Sequence, residues 1–195
     1  MELLTEQGYA GTGLDKILKT AGVPKGSFYH YFESKDAFAH AVIEAYAAYF
    51  AAKLDSALSD ESVLPLQRLA NFIADARKGM ARHGYRRGCL VGNLSQEFAG
   101  TDDVFRAQLK PIFQDWENRV AAVLAQAQKR GDISASVDPK DLAGFFWIGW
   151  EGAVLRARLV RSPAPIVLFE KSFFASLNAT PEPKTHKNTK KGTSK

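Results

Sequence analysis

Apolar residues recur at intervals of three and four along most of the chain, and no stretch alternates convincingly between apolar and polar, so the pattern predicts helices throughout. Leu14, Ile17, Leu18 and Ala21 share one face of an early segment. Gly22 permits a tight turn after it, and Pro24 stands where a new helix can begin, because its missing N–H would be unpaired there anyway. In that short second helix Phe28 and Phe32, four apart, point inward, while Lys25, Ser27, Tyr29, His30 and Tyr31 mostly face outward. This is helix-turn-helix punctuation. Short donors and a lysine at a helix N-terminus suit a DNA major groove.

Ser34 can cap a long helix with Asp36 in its positive first turn, and Phe38, Val42, Tyr46, Phe50, Leu54 and Leu58 continue it as one apolar stripe. That helix links head to body. Another helix starts near Pro65, carries Leu66, Leu69, Phe72, Ile73 and Met80, and stops at Gly84. A short one runs through Leu90, Leu94 and Phe98. Asp102 or Asp103 then opens a long segment to Arg130, in which Pro111 predicts either a kink or the true start. Residues 139–161 make the most apolar helix, and Pro163 and Pro165 set off a last one, 166–177. A helix apolar on most faces must be covered on most faces, and few elements remain to cover these two. The expectation is a homodimer through residues 139–161 and 166–177. Gly144, Gly149, Gly152 and Ala153 would let such helices approach closely, although a buried monomer core reads the same way.

Composition narrows the class. The 195 residues, 46% hydrophobic, suffice for one large domain or a small one fused to a larger. No apolar run approaches the roughly 18 residues of a membrane span, and the acidic Glu2, Glu6 and Asp15 do not suit a secretory signal. With Cys89 as the single cysteine, no intrachain disulfide can form, and a reducing cytoplasm is expected. The net charge of +5 mostly reports residues 179–195, where five lysines face Glu182 alone; that polar stretch is expected to be disordered, the alternative being non-specific phosphate contact. Residues 1–45 carry four lysines against six carboxylates, which is poor for a DNA-binding surface.

Taken as a block, GTGLDKILKTAGVPKGSFYHYFESKDAF resembles the DNA-binding segment of TetR-type transcriptional regulators. The resemblance implies an all-α fold: a helix-turn-helix head over 1–45, joined by the long helix to a ligand-sensing and dimerisation body over 46–178. It places Lys25, Gly26, Ser27, Tyr29, His30 and Tyr31 on the recognition helix, Thr12 and Gly13 at the start of the helix before it, and Lys35 at a phosphate contact. It also implies a complete first helix, of which MELLTEQ supplies only part; either the true start lies upstream of Met1, which is favoured, or the chain binds DNA weakly. Double-stranded operator DNA is the expected partner, pseudopalindromic because helix-turn-helix dimers read half-sites about 34–36 Å apart.

Two candidate sensors follow. Cys89 begins a helix, with His83, Arg86 and Arg87 just upstream, and a helix N-terminus and cations both favour the reactive thiolate. Read blandly, it is a small buried hydrophobe. The pattern GCL-x(3)-LS-x-E resembles TetR-type regulators that answer electrophiles, oxidants or the unsaturated acid acrylate. The other candidate is a pocket of Tyr46, Phe50, Trp116, Trp147, Trp150 and Glu151, with Asn93 on the face of Cys89. A small-molecule or electrophile effector is therefore expected, with no cofactor and no metal. Catalytic motifs such as H-E-x-x-H, G-x-S-x-G and P-loops are absent from the sequence, and His83 six residues before Cys89 makes a thiol enzyme only conceivable. The expected function is repression relieved by a ligand or by modification of Cys89. The alternatives are a ligand-binding dimer that no longer holds DNA and a cysteine enzyme.

Overall fold

The computed structural model describes residues 1–177, which form nine α-helices and no strand among the described residues. They are α1 (Glu2–Gln7), α2 (Leu14–Ala21), α3 (Lys25–Tyr31), α4 (Lys35–Leu58), α5 (Pro65–Arg82), α6 (Leu90–Phe98), α7 (Asp103–Lys129), α8 (Pro139–Val160) and α9 (Ala164–Ser176). The disorder expected of residues 179–195 lies outside the described residues.

In the head, α2 stops at Gly22, whose φ of 66° and ψ of 26° place it in the left-handed region that glycine enters at little cost. The Val23 N–H closes back on Leu18 O at 3.0 Å, and extended Pro24 launches α3. Phe28, 3% exposed, anchors α3 against Phe32 and Phe38, with ring centroids 5.4 and 5.7 Å away. The first helix is six residues long and packs on α6; an apolar cavity of about 610 Å³ remains between Leu3, Leu4, Leu18, Phe28 and Val42.

Ser34 caps α4, its Oγ accepting from the Ala37 N–H at 3.0 Å. The single stripe expected on this helix is two. Phe38 and Val42 line the head cavity, while Ala39 and Ile43, one position round the helix, join Tyr46, Leu54 and Leu58 in the body core. A helix shared by two bodies needs an apolar face for each.

The body wraps α7, which buries Trp116, Val120, Leu124 and Ala127 against α4, α5, α6 and α8. Pro111 lies on its exposed side within one continuous helix, so it does not mark the start. The carbonyl one turn back that Pro111 leaves unpaired can meet water on that side. Asp138 caps α8, whose inner face buries Ala143, Phe146, Trp147, Trp150, Val154 and Ala157. Phe145, Ile148, Leu155 and Leu159 stay exposed on its other side. Gly149 faces α9 instead: a Cβ there would lie 2.5 Å from the Phe169 ring. No described helix is long and apolar enough to cross a membrane.

Candidate functional site

Helix α3 offers Lys25, Gly26, Ser27, Tyr29, His30 and Tyr31 together on the exposed surface, with Tyr29 and Tyr31 53% and 77% accessible while Phe28 behind them is sealed. Lys25 pairs with Asp15 at 3.0 Å with both side chains in solvent, a contact worth little that a phosphate can replace. Gly13, the N-cap of α2, is also exposed. Thr12 is not: it is fully buried, its hydroxyl donating to Gly8 O at 2.6 Å, and holds the loop before α2 rather than facing DNA. Lys35 is half-buried. Its ammonium donates to Tyr9 O at 2.8 Å and sits 3.8 Å above the Tyr9 ring, so here it ties α4 to that loop rather than reaching outward.

A cavity of about 350 Å³ opens where α1, α4, α5, α6 and α8 meet. Tyr46, Phe50, Cys89 and Trp150 line it as expected, and Lys53, Arg82, His83 and Arg87 supply basic lining. Cys89 is the N-cap of α6, its Sγ accepting from the Gly92 N–H at 3.4 Å. The Glu151 carboxyl of α8 stands close over Gly92, and Tyr46 of α4 lines the same cavity as the thiol. These surroundings disfavour the thiolate and favour the buried thiol. Burial first, and then the Glu151 carboxylate, push the thiol well above its ordinary range, whereas Arg87 turns away to Glu2 at 2.9 Å. Burial likewise lifts the Glu151 carboxyl to about 7 and the Tyr46 hydroxyl well up. Gly92 makes the approach possible, since a Cβ on it would stand 2.0 Å from Glu151 Oε2. The other oxygen, Oε1, is buried without a partner.

Four expected pocket residues lie elsewhere. Trp116 and Trp147 are core, their rings 5.1 Å apart with Trp116 4.5 Å from Phe50, and neither lines the cavity; both indole N–H groups are buried and unpartnered. Asn93 shares a helix with Cys89 but is drawn off, donating to Thr5 O at 3.2 Å and accepting from Arg158 at 2.7 Å. Glu151 stands behind Cys89 rather than in the cavity wall.

Asn93 belongs to a second constellation in which α6 grips the head at both ends. At the start of α6 the Gly88 N–H donates to Thr5 O at 3.1 Å, beside the Asn93 bond to the same carbonyl. At its end the Glu97 carboxylate accepts from the Tyr9 N–H at 3.0 Å and the Ala10 N–H at 2.8 Å. Gly8 is required for that clamp, with φ at 75° and room for no Cβ: one would sit 2.3 Å from Glu97 Oε1. Arg158 of α8 spans the junction, donating to Asn93, to Glu6 O at 3.1 Å and to Arg86 O at 3.3 Å. Of these residues only Glu97 carries a sequence signal, as the end of the GCL-x(3)-LS-x-E pattern; the long-range contacts of Thr5, Gly8 and Arg158 carry no local one.

Among the described residues no group of three or more His, Cys, Asp or Glu side chains is placed to hold a metal ion. Residues 1–42 match the family model for bacterial regulatory proteins of the tetR family, and residues 65–173 match that for the tetracyclin repressor-like C-terminal domain. The chain is 54% identical to the transcriptional regulator AcuR of Cereibacter sphaeroides over 89% of its own length and 79% of that protein's. It is 32% identical to the HTH-type transcriptional repressor NemR of Escherichia coli, over 85% and 83%. The crystal structure of a regulatory protein TetR from Rhodobacter sphaeroides superposes with a TM-score of 0.86 at 53% identity, covering 89% of this chain and 92% of that one. The exposed helix-turn-helix, the long connecting helix and the helical body agree with those likenesses over both halves, and the chain belongs to the TetR family of bacterial transcriptional regulators.

Proposed function

We propose that the chain is a homodimeric repressor whose two α3 helices enter the major groove of a pseudopalindromic operator, and that a small molecule or electrophile in the Cys89 cavity releases it. The observation that carries this reading is the double role of Cys89: it lines the cavity and caps α6, the helix that holds the head through Thr5, Tyr9 and Ala10. An adduct on Sγ adds volume inside a closely packed first turn, and packed interiors answer by shifting whole elements. Moving α6 moves both clamps on the head. Two recognition helices must match a rigid groove repeat of about 34–36 Å, so a small tilt is enough to lose it. The effector acts by binding the released state better.

Dimerisation by α8 and α9 is supported by Phe145, Ile148, Leu155 and Leu159, which follow one helical face and stay exposed with Val167 and Leu168 of α9. Gly144 and Gly152, with nothing within 4 Å of a built Cβ, leave that side open to a second copy. The reading places the regulator in a reducing cytoplasm, where Cys89 stays a thiol.

Gel shifts on the chain with its operator test it. Sequence-selective binding that weakens steeply with salt is expected. Cys89→Ser is expected to bind alike but to resist release by electrophiles. Absence of selective binding would leave a ligand-binding dimer that does not engage DNA, and unchanged release of Cys89→Ser would remove the thiol from the switch.

A further inference from the structure

A helix end leaves its final carbonyls unpaired, and those of α1 find their donors in the body rather than in the head. Thr5 O accepts from the Gly88 N–H at 3.1 Å and from Asn93 at 3.2 Å, and Glu6 O accepts from Arg158 Nη2 at 3.1 Å. Arg158 governs two of these three bonds. Its Nη1 donates to Asn93 Oδ1 at 2.7 Å, which leaves the amide N–H groups of Asn93 turned to Thr5 O, and its Nε donates to Arg86 O at 3.3 Å. The guanidinium reaches these oxygens by lying against Gly88, where a Cβ would stand 2.7 Å from Arg158 Cδ. A planar fork with acceptors on three segments fixes orientation as a single point charge does not.

The root of Arg158 is held as firmly as its tip. Arg161 ends α8 with φ at 52° and donates to the carbonyl of Tyr85, itself at φ 54°, over 2.9 Å. Among the described residues these are the two non-glycine positions with positive φ, and they are bonded to each other. Backbone strain of this kind persists where the surroundings over-determine it. Leu155 and Leu159, on either side of Arg158 along α8, are exposed on the face proposed to meet a second copy. One stretch of α8 therefore carries that face, and the bond from Arg158 to Glu6 O runs from it to the head without passing through α6. We propose that Arg158 is a positioning residue for DNA recognition, setting the angle of each head against the dimer and so the half-site spacing that the two α3 helices accept. This rests on the paired reading above and names the group that fixes its reach. Inserting one base pair moves the half-sites apart by about 3.4 Å and turns them by roughly 34–36°. A head held by Arg158 cannot follow, whereas a head released at α1 and still held at Tyr9 and Ala10 can pivot to both half-sites.

Gel-shift titrations of the intact chain test this on the duplex it selects from a random-sequence pool, and on the same duplex with one base pair inserted or removed at its centre. For the unaltered chain either change is expected to cost about a hundredfold in affinity, the gain that joint engagement of two half-sites supplies. Arg158→Met keeps the length of the side chain and removes every donor, and its spacing penalty is expected to shrink to about tenfold or less. Arg158→Lys, with a point charge in place of the fork, is expected to fall between the two. The ratio between duplexes separates positioning from stability, because a chain that is merely less stable loses the same factor on all three. An Arg158→Met penalty as large as that of the unaltered chain overturns the proposal. Gly88→Ala displaces the Arg158 side chain while keeping its charge, and carries the same test where Arg158→Met does not fold: a reduced penalty supports the role and an undiminished one overturns it. Failure of the paired reading looks different, since the unaltered chain would then bind all three duplexes alike, and both inferences would fall together.

Discussion

Glu151 carries a cost that the rest of its helix does not. A carboxyl whose pKa is lifted to about 7 from 4.5 by burial favours the native state only while protonated, so its support is complete below about pH 4.5 and lost as pH rises through about 7. Above that, the ionised, half-satisfied group penalises the fold by up to about 3 kcal/mol. Glu151→Gln is therefore expected to melt higher than the parent chain at pH 8 and to lose that advantage by pH 4.5. A melting series over that range checks the sign. A residue retained against such a penalty fits a functional demand rather than a packing one. Single residues were the least legible level of the sequence. The exposed face of α3 could be read from spacing, and so could Cys89 at a helix start. The burial that keeps Cys89 a thiol and the capture of Asn93 by Arg158 depend on residues far away in the chain, while Thr12 withdraws into a local bond to Gly8 that periodicity does not signal.

At the scale of elements, caps and breakers made the sequence readable. Ser34, Pro65, Asp102 and Asp138 open helices where side-chain acceptors or a missing N–H predict, and Gly22, Gly84 and Gly131 adopt positive φ where helices stop. Periodicity failed where one helix serves two bodies, as in α4, and it says nothing of which helix grips which. The grip of α6 on the head is of that kind. Removing the Glu97 carboxylate leaves the part-buried Tyr9 N–H without its acceptor, at a cost of about 1–3 kcal/mol, while the exposed Ala10 N–H turns to water. Glu97→Ala is expected to lower the melting temperature and to weaken operator binding with the recognition surface unaltered. A variant that melts lower but binds as tightly would show the clamp to be structural only.

For the molecule as a whole, the proposed dimer rests on the exposed apolar face of α8. Ile148 and Leu159 are 76% and 75% accessible on one side of a helix whose other side is core. Ile148→Glu with Leu159→Glu places two charges in the proposed interface without touching the monomer interior. Sedimentation is expected to show monomers, with operator affinity falling as the second half-site contact is lost; a dimer that survives both changes places the interface elsewhere. The head reads −2 over residues 1–45, so the affinity of one head alone is expected to be weak and pairing all the more necessary.

All of this depends on α6 carrying a change at Cys89 to the loop that α1 and α2 share. Amide hydrogen exchange on the dimer, before and after alkylation of Cys89, reads that link directly, since the Gly88, Tyr9 and Ala10 N–H groups are the bonds in question. Faster exchange is expected in peptides spanning residues 5–12 and 86–97 of the alkylated protein, with α7 unchanged. Alkylated protein that releases its operator while exchange across residues 5–12 stays as slow as before would contradict it.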